Sequence, residues 1–345
     1  MIGINNEGFT CYMNTLMQCL ATVKDIVPSL TSAVHEQNPD PVNNQFTVLV
    51  SEALTKIKRS TKDDTSKPMS IRQVLMCSQH TFKMNMFTQH DLHEILMLIV
   101  TKIHDDTGSN VPKIIGEPAG NSKLDKLSAI CRKNFYRDNE WKSSFVSRSL
   151  YGQIVKQIVC GSCGHAHHNY ETFITLNLDI HNNSDTETVE TTITDFMKHR
   201  MLTDWKCDKC NVVCPSEQRT YIWHLPKTLI ICIKRFEASP DYTSMKKNKK
   251  MVEVPINLTI DKEYVLNPTL EPDQLRQYEL SSIGVHLGSM NNGHYLAYVR
   301  DETNNKWYMV DDDIVRDVDL PEEITEKKTN HLQLDNAYIL VYNLS

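Results

Sequence analysis

A cysteine near one end of this chain and a histidine near the other have surroundings that make chemical sense only together. Any fold that joins them must bring almost the whole 345-residue length back on itself. The first lies in Asn5-Asn6-Glu7-Gly8-Phe9-Thr10-Cys11-Tyr12-Met13-Asn14, an irregular arm that gives way to Leu16, Cys19, Leu20 and Val23 at the spacing of a helical apolar face. This pattern puts Cys11 in the first turn of a helix, with Thr10 as its N-cap. Unpaired N–H groups and the dipole at a helix start favour the nucleophilic thiolate. A backbone turning at Gly8, with the amide of Asn6 nearby, supplies donors for an oxyanion. A buried, inert cysteine is the commoner fate, and Cys11 alone does not decide the matter.

The partner stretch runs Val285-His286-Leu287-Gly288-Ser289-Met290-Asn291-Asn292-Gly293-His294-Tyr295, then alternating Leu296-Ala297-Tyr298-Val299, then Trp307-Tyr308-Met309-Val310-Asp311-Asp312-Asp313. A Gly/Asn loop delivers His294 to the start of a strand, and an acidic turn follows a second strand. A Cys–His pair needs a third group to fix the imidazole tautomer and stabilise the imidazolium, and Asp311 is placed to do so across a hairpin.

These stretches resemble the Cys box and His box of the ubiquitin-specific proteases, papain-like deubiquitinating enzymes. Gly3 through Asn14 fits the first box, with bulky Phe9 where the family usually has a small or polar residue. His286 through Tyr295 fits the second, and Trp307-Tyr308 with Asp311-Asp312 fits the third, except that Val310 replaces an aromatic. The resemblance covers nearly the whole chain. It implies an α+β, papain-like fold: a mainly helical thumb over 1–140, β-rich fingers over 150–225 and a mainly β palm over 226–345. It also implies hydrolysis of the isopeptide bond after the last glycine of ubiquitin. In that reading Cys11 is the nucleophile, His294 the base and then acid, and Asp311 its orienter. Asn6 stabilises the oxyanion with the Cys11 amide, and Asp312 shares an orienting or water-holding role. Two alternatives are a protease for another ubiquitin-like modifier and a weakly active ubiquitin-binding scaffold.

Between these stretches stand Cys160-Gly161-Ser162-Cys163 and Cys207-Asp208-Lys209-Cys210, two C-x-x-C turns set among strand-like runs. Four thiolates in two tight loops match a closed, tetrahedral structural zinc site, with Cys214 as a substitute ligand. His165, His167 and His168 read as exposed turn residues. In the family the fingers carry such a ribbon and grip the body of ubiquitin.

Thr88 with Asp91 reads as a capping box ahead of the apolar face Leu92, Ile95, Leu96, Ile99 and Ile103. The resemblance implies that Asp91, together with Glu94, pairs with an arginine of the ubiquitin tail, while a first-turn acid also has a purely helical rationale. It places Phe236, His286 and Tyr295 along the tail channel, with a core aromatic as the other reading of Phe236. Strands are expected at 219–224, 229–236, 252–258, 280–286, 295–300, 307–310 and 337–342. A polar loop is expected at 181–192 and surface loops at 62–67, 105–122 and 241–250. By the resemblance the 241–250 loop lies near the first of the loops that gate ubiquitin binding, and Leu287 to Gly293 would be the second.

Composition excludes other classes. No apolar run is long enough to span a bilayer, and the start has no signal-peptide pattern. Ten cysteines without such a signal argue for reduced thiols, metal ligation or catalysis in an intracellular protein rather than a disulfide framework. A net charge of −6 argues against nucleic acid and suits a basic partner tail, with the possibility of an activating protein partner left open.

Overall fold

The computed structural model describes residues 2–36, 45–60, 68–113, 122–181, 187–238, 245–267, 277–289, 292–318 and 331–345. The stretch 62–67, the part 241–244 of the expected 241–250 loop and the loop tip at 290–291 lie outside them. Helices come first: α1 (Cys11–Ala21), α2 (Ile26–Glu36), α3 (Gln45–Arg59), α4 (Arg72–Phe82), α5 (Leu92–Thr107), α6 (Lys123–Asp138) and α7 (Phe145–Ser149). A further helix, α8 (Val189–Met197), occupies part of the expected 181–192 loop, capped by Thr188, whose hydroxyl accepts from Thr191 N. No helix among the described residues is long and apolar enough to cross a membrane.

Every residue of α1 is buried. It packs against α3 and α5 on one side and against the strands Gly293–Asp301, Gln277–Gly288 and Lys306–Asp311 on the other. A helix wrapped on all sides must satisfy its polar side chains internally. Asn14 and Gln18, one turn apart, do so only for their NH2 groups, through the N-terminal arm: Asn14 Nδ2 donates to Ile4 O and Asn5 O, and Gln18 Nε2 to Ile2 O at 2.8 Å, while Asn14 Oδ1 and Gln18 Oε1 are buried with no hydrogen-bond partner among the described residues. Near the helix end Thr22 O accepts from Asn343 Nδ2, and Thr22 Oγ1 lies 2.9 Å from Ser282 Oγ. The helix that bears Cys11 is thus laced to the arm at one end and to the sheet at the other.

That sheet has eight strands. In order across it lie Ile314–Val318, Lys306–Asp311, Gly293–Asp301, Gln277–Gly288, Ala337–Leu344, Thr228–Lys234 and Thr175–Asp179, with Asn257–Thr259 also pairing on Gln277–Gly288. Its neighbours pair antiparallel, save Thr175–Asp179 on Thr228–Lys234. A separate four-stranded sheet, Ala166–Phe173, Gly152–Cys160, Ser216–His224 and Arg200–Leu202, carries the C-x-x-C turns. Residues 150–225 therefore contribute to both sheets. His167 and His168 are strand residues rather than turn residues, and His168 Nε2 meets Gln157 Nε2 across the ladder at 3.0 Å.

Three further local expectations change. Asp91, not Thr88, caps α5, accepting from Glu94 N at 3.0 Å, while Thr88 Oγ1 donates back to Asn85 O. The strand expected at 229–236 ends at Lys234, because the fully buried Arg235 side chain turns to carbonyls of neighbouring segments and Phe236 begins a new hairpin. The expected loop after Asp105 instead continues α5 to Thr107 and adds a short strand at Ser109–Asn110.

The arm reaches the sheet through Gly3, where an added Cβ would lie 2.3 Å from Asp313 O. Gly3→Ala is therefore expected to cost about 1–3 kcal/mol by overpacking against backbone. A lowered urea midpoint with an unchanged slope would show it, and an unchanged midpoint would mean the arm is not seated there.

Candidate active site

The arm and α1 meet at an acidic turn. Asn6 Oδ1 accepts from Gly8 N and Thr10 N, closing the irregular loop before the helix, with Gly8 at φ 106° and Phe9 at φ 53°. Thr10 occupies the cap position, but its hydroxyl accepts from Glu7 N instead of capping α1. The other half of the Asn6 amide donates to Asp312 Oδ2 at 2.8 Å, and Asn14 Nδ2 donates to Asp312 Oδ1 at 2.7 Å. Asp312 itself stands at φ 52°, and its carbonyl accepts from Ile4 N. Asn14 is absent from the sequence-derived site, although its place one turn beyond Cys11 was the available signal.

One residue earlier, Asp311 Oδ1 holds His294 Nε2 at 2.5 Å. The Cys11 thiol lies close enough to the His294 ring to interact with it. That thiol comes first among the influences that raise the imidazole pKa from 6.5 to about 9; burial works against it and the Asp311 hydrogen bond adds to it. Thiol, imidazole and carboxylate thus form a chain built from a helix start, a strand start and a strand end.

Cys11 opens onto a cleft of about 450 Å³. Tyr12, His90, Asp91 and Glu94 line it from the helical side, and Phe236, His286, Gly293, Tyr295 and Tyr338 from the sheet side. The rings interlock: His286 lies 4.6 Å from Tyr295 and 5.2 Å from Phe236, which lies 5.8 Å from Tyr338. His286 is buried, and that burial, with the nearby Lys247 charge second, pushes its pKa down to about 4. Asp91 accepts from Tyr338 Oη at 2.6 Å and more loosely from Tyr295 Oη at 3.5 Å. Glu94 is exposed at the rim. Tyr338 and His90 escaped the sequence reading; the first is indistinguishable from an ordinary strand aromatic, and the second had no periodicity to single it out.

Away from the cleft, Cys160, Cys163, Cys207 and Cys210 gather with all four sulfurs within 4.8 Å of one another. Their closest cross-knuckle pairs, Cys160–Cys210 and Cys163–Cys207, are 3.9 and 3.8 Å apart. Four thiolates at Zn–S bonds of about 2.3 Å would stand about 3.8 Å apart at tetrahedral corners, so the cluster fits a zinc-sized ion. Each knuckle turns on a left-handed residue after its second cysteine, Gly164 at φ 68° and Asn211 at φ 58°. Cys214 lies 3.5 Å from Cys160 but outside the mutual group of four.

The chain belongs to the ubiquitin carboxyl-terminal hydrolase family, whose pattern its residues 2–342 match. It is 25% identical over its full length to the probable ubiquitin carboxyl-terminal hydrolase 4 of Schizosaccharomyces pombe, and 25% identical over 99% of its length to ubiquitin carboxyl-terminal hydrolase Usp2 of Drosophila melanogaster. It spans 58% and 34% of those proteins. Among solved structures it superposes over its whole length on the SAGA DUB module bound to monoubiquitin, covering 69% of that chain with a TM-score of 0.75 at 22% identity. The same module bound to ubiquitin aldehyde gives the same score and identity, with 70% of that chain covered. The fold is accordingly the α+β, papain-like one with helical thumb, β palm and β fingers.

The His294 contacts have a measurable sign. A pKa raised on folding adds stability that is complete below the unfolded value near 6.5 and is lost as pH rises through about 9. An NMR titration of the His294 ring should show a midpoint near 9 that falls in Cys11→Ser and again in Asp311→Asn; a midpoint of 6.5 in the unaltered protein would refute the contacts.

Proposed function

We propose that this chain is a deubiquitinase that cleaves the isopeptide bond after the C-terminal glycine of ubiquitin. The observation that carries the reading is His294 held between the Cys11 thiol and Asp311 at the foot of a cleft walled by interlocked rings. Cys11 attacks the glycine carbonyl as its proton resides on His294, and His294 then protonates the departing lysine amine. Asp311 holds the ring in register and stabilises the imidazolium. The second N–H of the Asn6 amide, whose first goes to Asp312, and the backbone N–H of Cys11 receive the oxyanion. Asp312 acts through Asn6, as its orienter. Water then hydrolyses the thioester.

The same reading gives Asp91 and Glu94 to an arginine of the ubiquitin tail, where a carboxylate–guanidinium pair adds geometric specificity. Phe236, His286 and Tyr295 leave passage only to a side-chain-free Gly-Gly end. The divisions at 1–140, 150–225 and 226–345 become thumb, fingers and palm. Cys160, Cys163, Cys207 and Cys210 hold a structural zinc ion, which in a closed four-thiolate site has no position for substrate. The SAGA module structures contain ubiquitin, and its binding is carried to this chain by that likeness in fold.

Hydrolysis of a ubiquitin C-terminal fluorophore conjugate tests the reading. Cys11→Ala is expected to lower turnover by more than about 10³, and retained turnover would end the nucleophile assignment. Metal analysis should find one zinc per chain, lost in Cys207→Ser together with several degrees of melting temperature. A melt indifferent to that substitution would remove the ion from the fold.

A further inference from the structure

The hairpin formed by Phe236–Ala238 and Met245–Lys247 sets Phe236 directly opposite Lys247. Lys247 is 9% exposed, and its ammonium donates to three uncharged oxygens: His286 O at 2.5 Å, Gly288 O at 3.3 Å and Asn336 Oδ1 at 2.9 Å. Beside it the fully buried Arg235 donates to Ala337 O, Leu334 O, Asn248 O and Lys250 O. A buried cation without a carboxylate in contact is a costly arrangement. Burial, and then the charge of Arg235, push the Lys247 pKa down to about 8, with Asp335 opposing. A plain hairpin needs no such group.

What the ammonium joins gives its purpose. His286 and Gly288 flank Leu287, at the end of the strand whose His286 ring forms a wall of the cleft. The hairpin contributes the neighbouring wall, Phe236, whose ring meets His286 edge to face at 5.2 Å. Among the described residues, Lys247 supplies the hydrogen bonds that tie the hairpin to the strand end at His286–Gly288.

Building on the function proposed above, we propose that Lys247 is a positioning residue for substrate binding: its ammonium latches the 236–247 hairpin onto the strand end at His286–Gly288 and so fixes the Phe236–His286 wall against which the substrate's extended tail lies. The latch acts on binding of the tail and leaves the thiol–imidazole pair intact.

The test uses the whole chain carrying Lys247→Met, which keeps the length of the side chain and removes its charge. With the ubiquitin–fluorophore conjugate, KM is expected to rise about tenfold or more with kcat within about threefold of the unaltered protein. Iodoacetamide, which needs no tail channel, should alkylate Cys11 at a rate within about threefold, read by mass spectrometry of the Cys11 peptide. Lys247→Ala should regain part of its KM when n-propylamine is added, and Lys249→Met, altered at an exposed position on the same segment, should match the unaltered protein. An unchanged KM in Lys247→Met, or a loss of alkylation in step with turnover, would overturn the latch. Should the unaltered protein fail to cleave ubiquitin conjugates, the function reading falls and the latch is judged separately. Amide hydrogen exchange over residues 286–289 should then be faster in Lys247→Met, and equal exchange would refute it.

Discussion

The carboxylate of Asp312, shared between two side-chain amides, is the contact on which the arrangement rests. Asn6 approaches it from the N-terminal arm and Asn14 from α1, at 2.8 and 2.7 Å, while the preceding residue, Asp311, grips His294. Two consecutive acids on one turn therefore fix the arm, α1 and the His294 strand relative to one another. Because Asn14 is buried, the bond also gives its NH2 a charged acceptor inside the protein. A sheet edge and a helix start thus share a reference point despite nearly the whole chain lying between them in sequence.

Two histidines on neighbouring strands show how surroundings, not residue type, set chemistry. His294 lies against a thiol and a carboxylate and is held as a cation to about pH 9. His286, packed among rings and near the Lys247 ammonium, loses its proton by about pH 4 and presents a neutral wall. Their charges repel, so keeping one neutral also favours protonation of the other. The cleft therefore separates a charged reacting end from an uncharged binding end.

Much of this was legible before any coordinates. Cys11, His294 and Asp311 stood out because each sits where a periodic pattern starts or stops, and the two C-x-x-C turns announced a four-thiolate cluster by spacing alone. The strands of the last third were readable from alternation, which a half-buried antiparallel sheet enforces. What stayed hidden depends on contacts between distant segments. Tyr338 is one apolar position among many until its hydroxyl is found on Asp91, and Asn14 looks like a neutral helix residue until the acidic turn arrives beside it. The early end of the strand at Lys234 has the same origin, since only the finished fold supplies the carbonyls that draw Arg235 inward. The cap of α5 was misplaced by three residues because Thr88 and Asp91 are both good caps and local propensity cannot rank them.

The thiol and its proton acceptor belong to different layers, one on α1 and the other on the sheet packed against it. Neither layer alone creates the reactive pair. A nascent or partly opened chain, with α1 not yet docked, carries Cys11 without His294 beside it, so the pairing comes into being with the completed core and vanishes with it. The fold in this way keeps the two groups apart until the cleft that controls access to them exists.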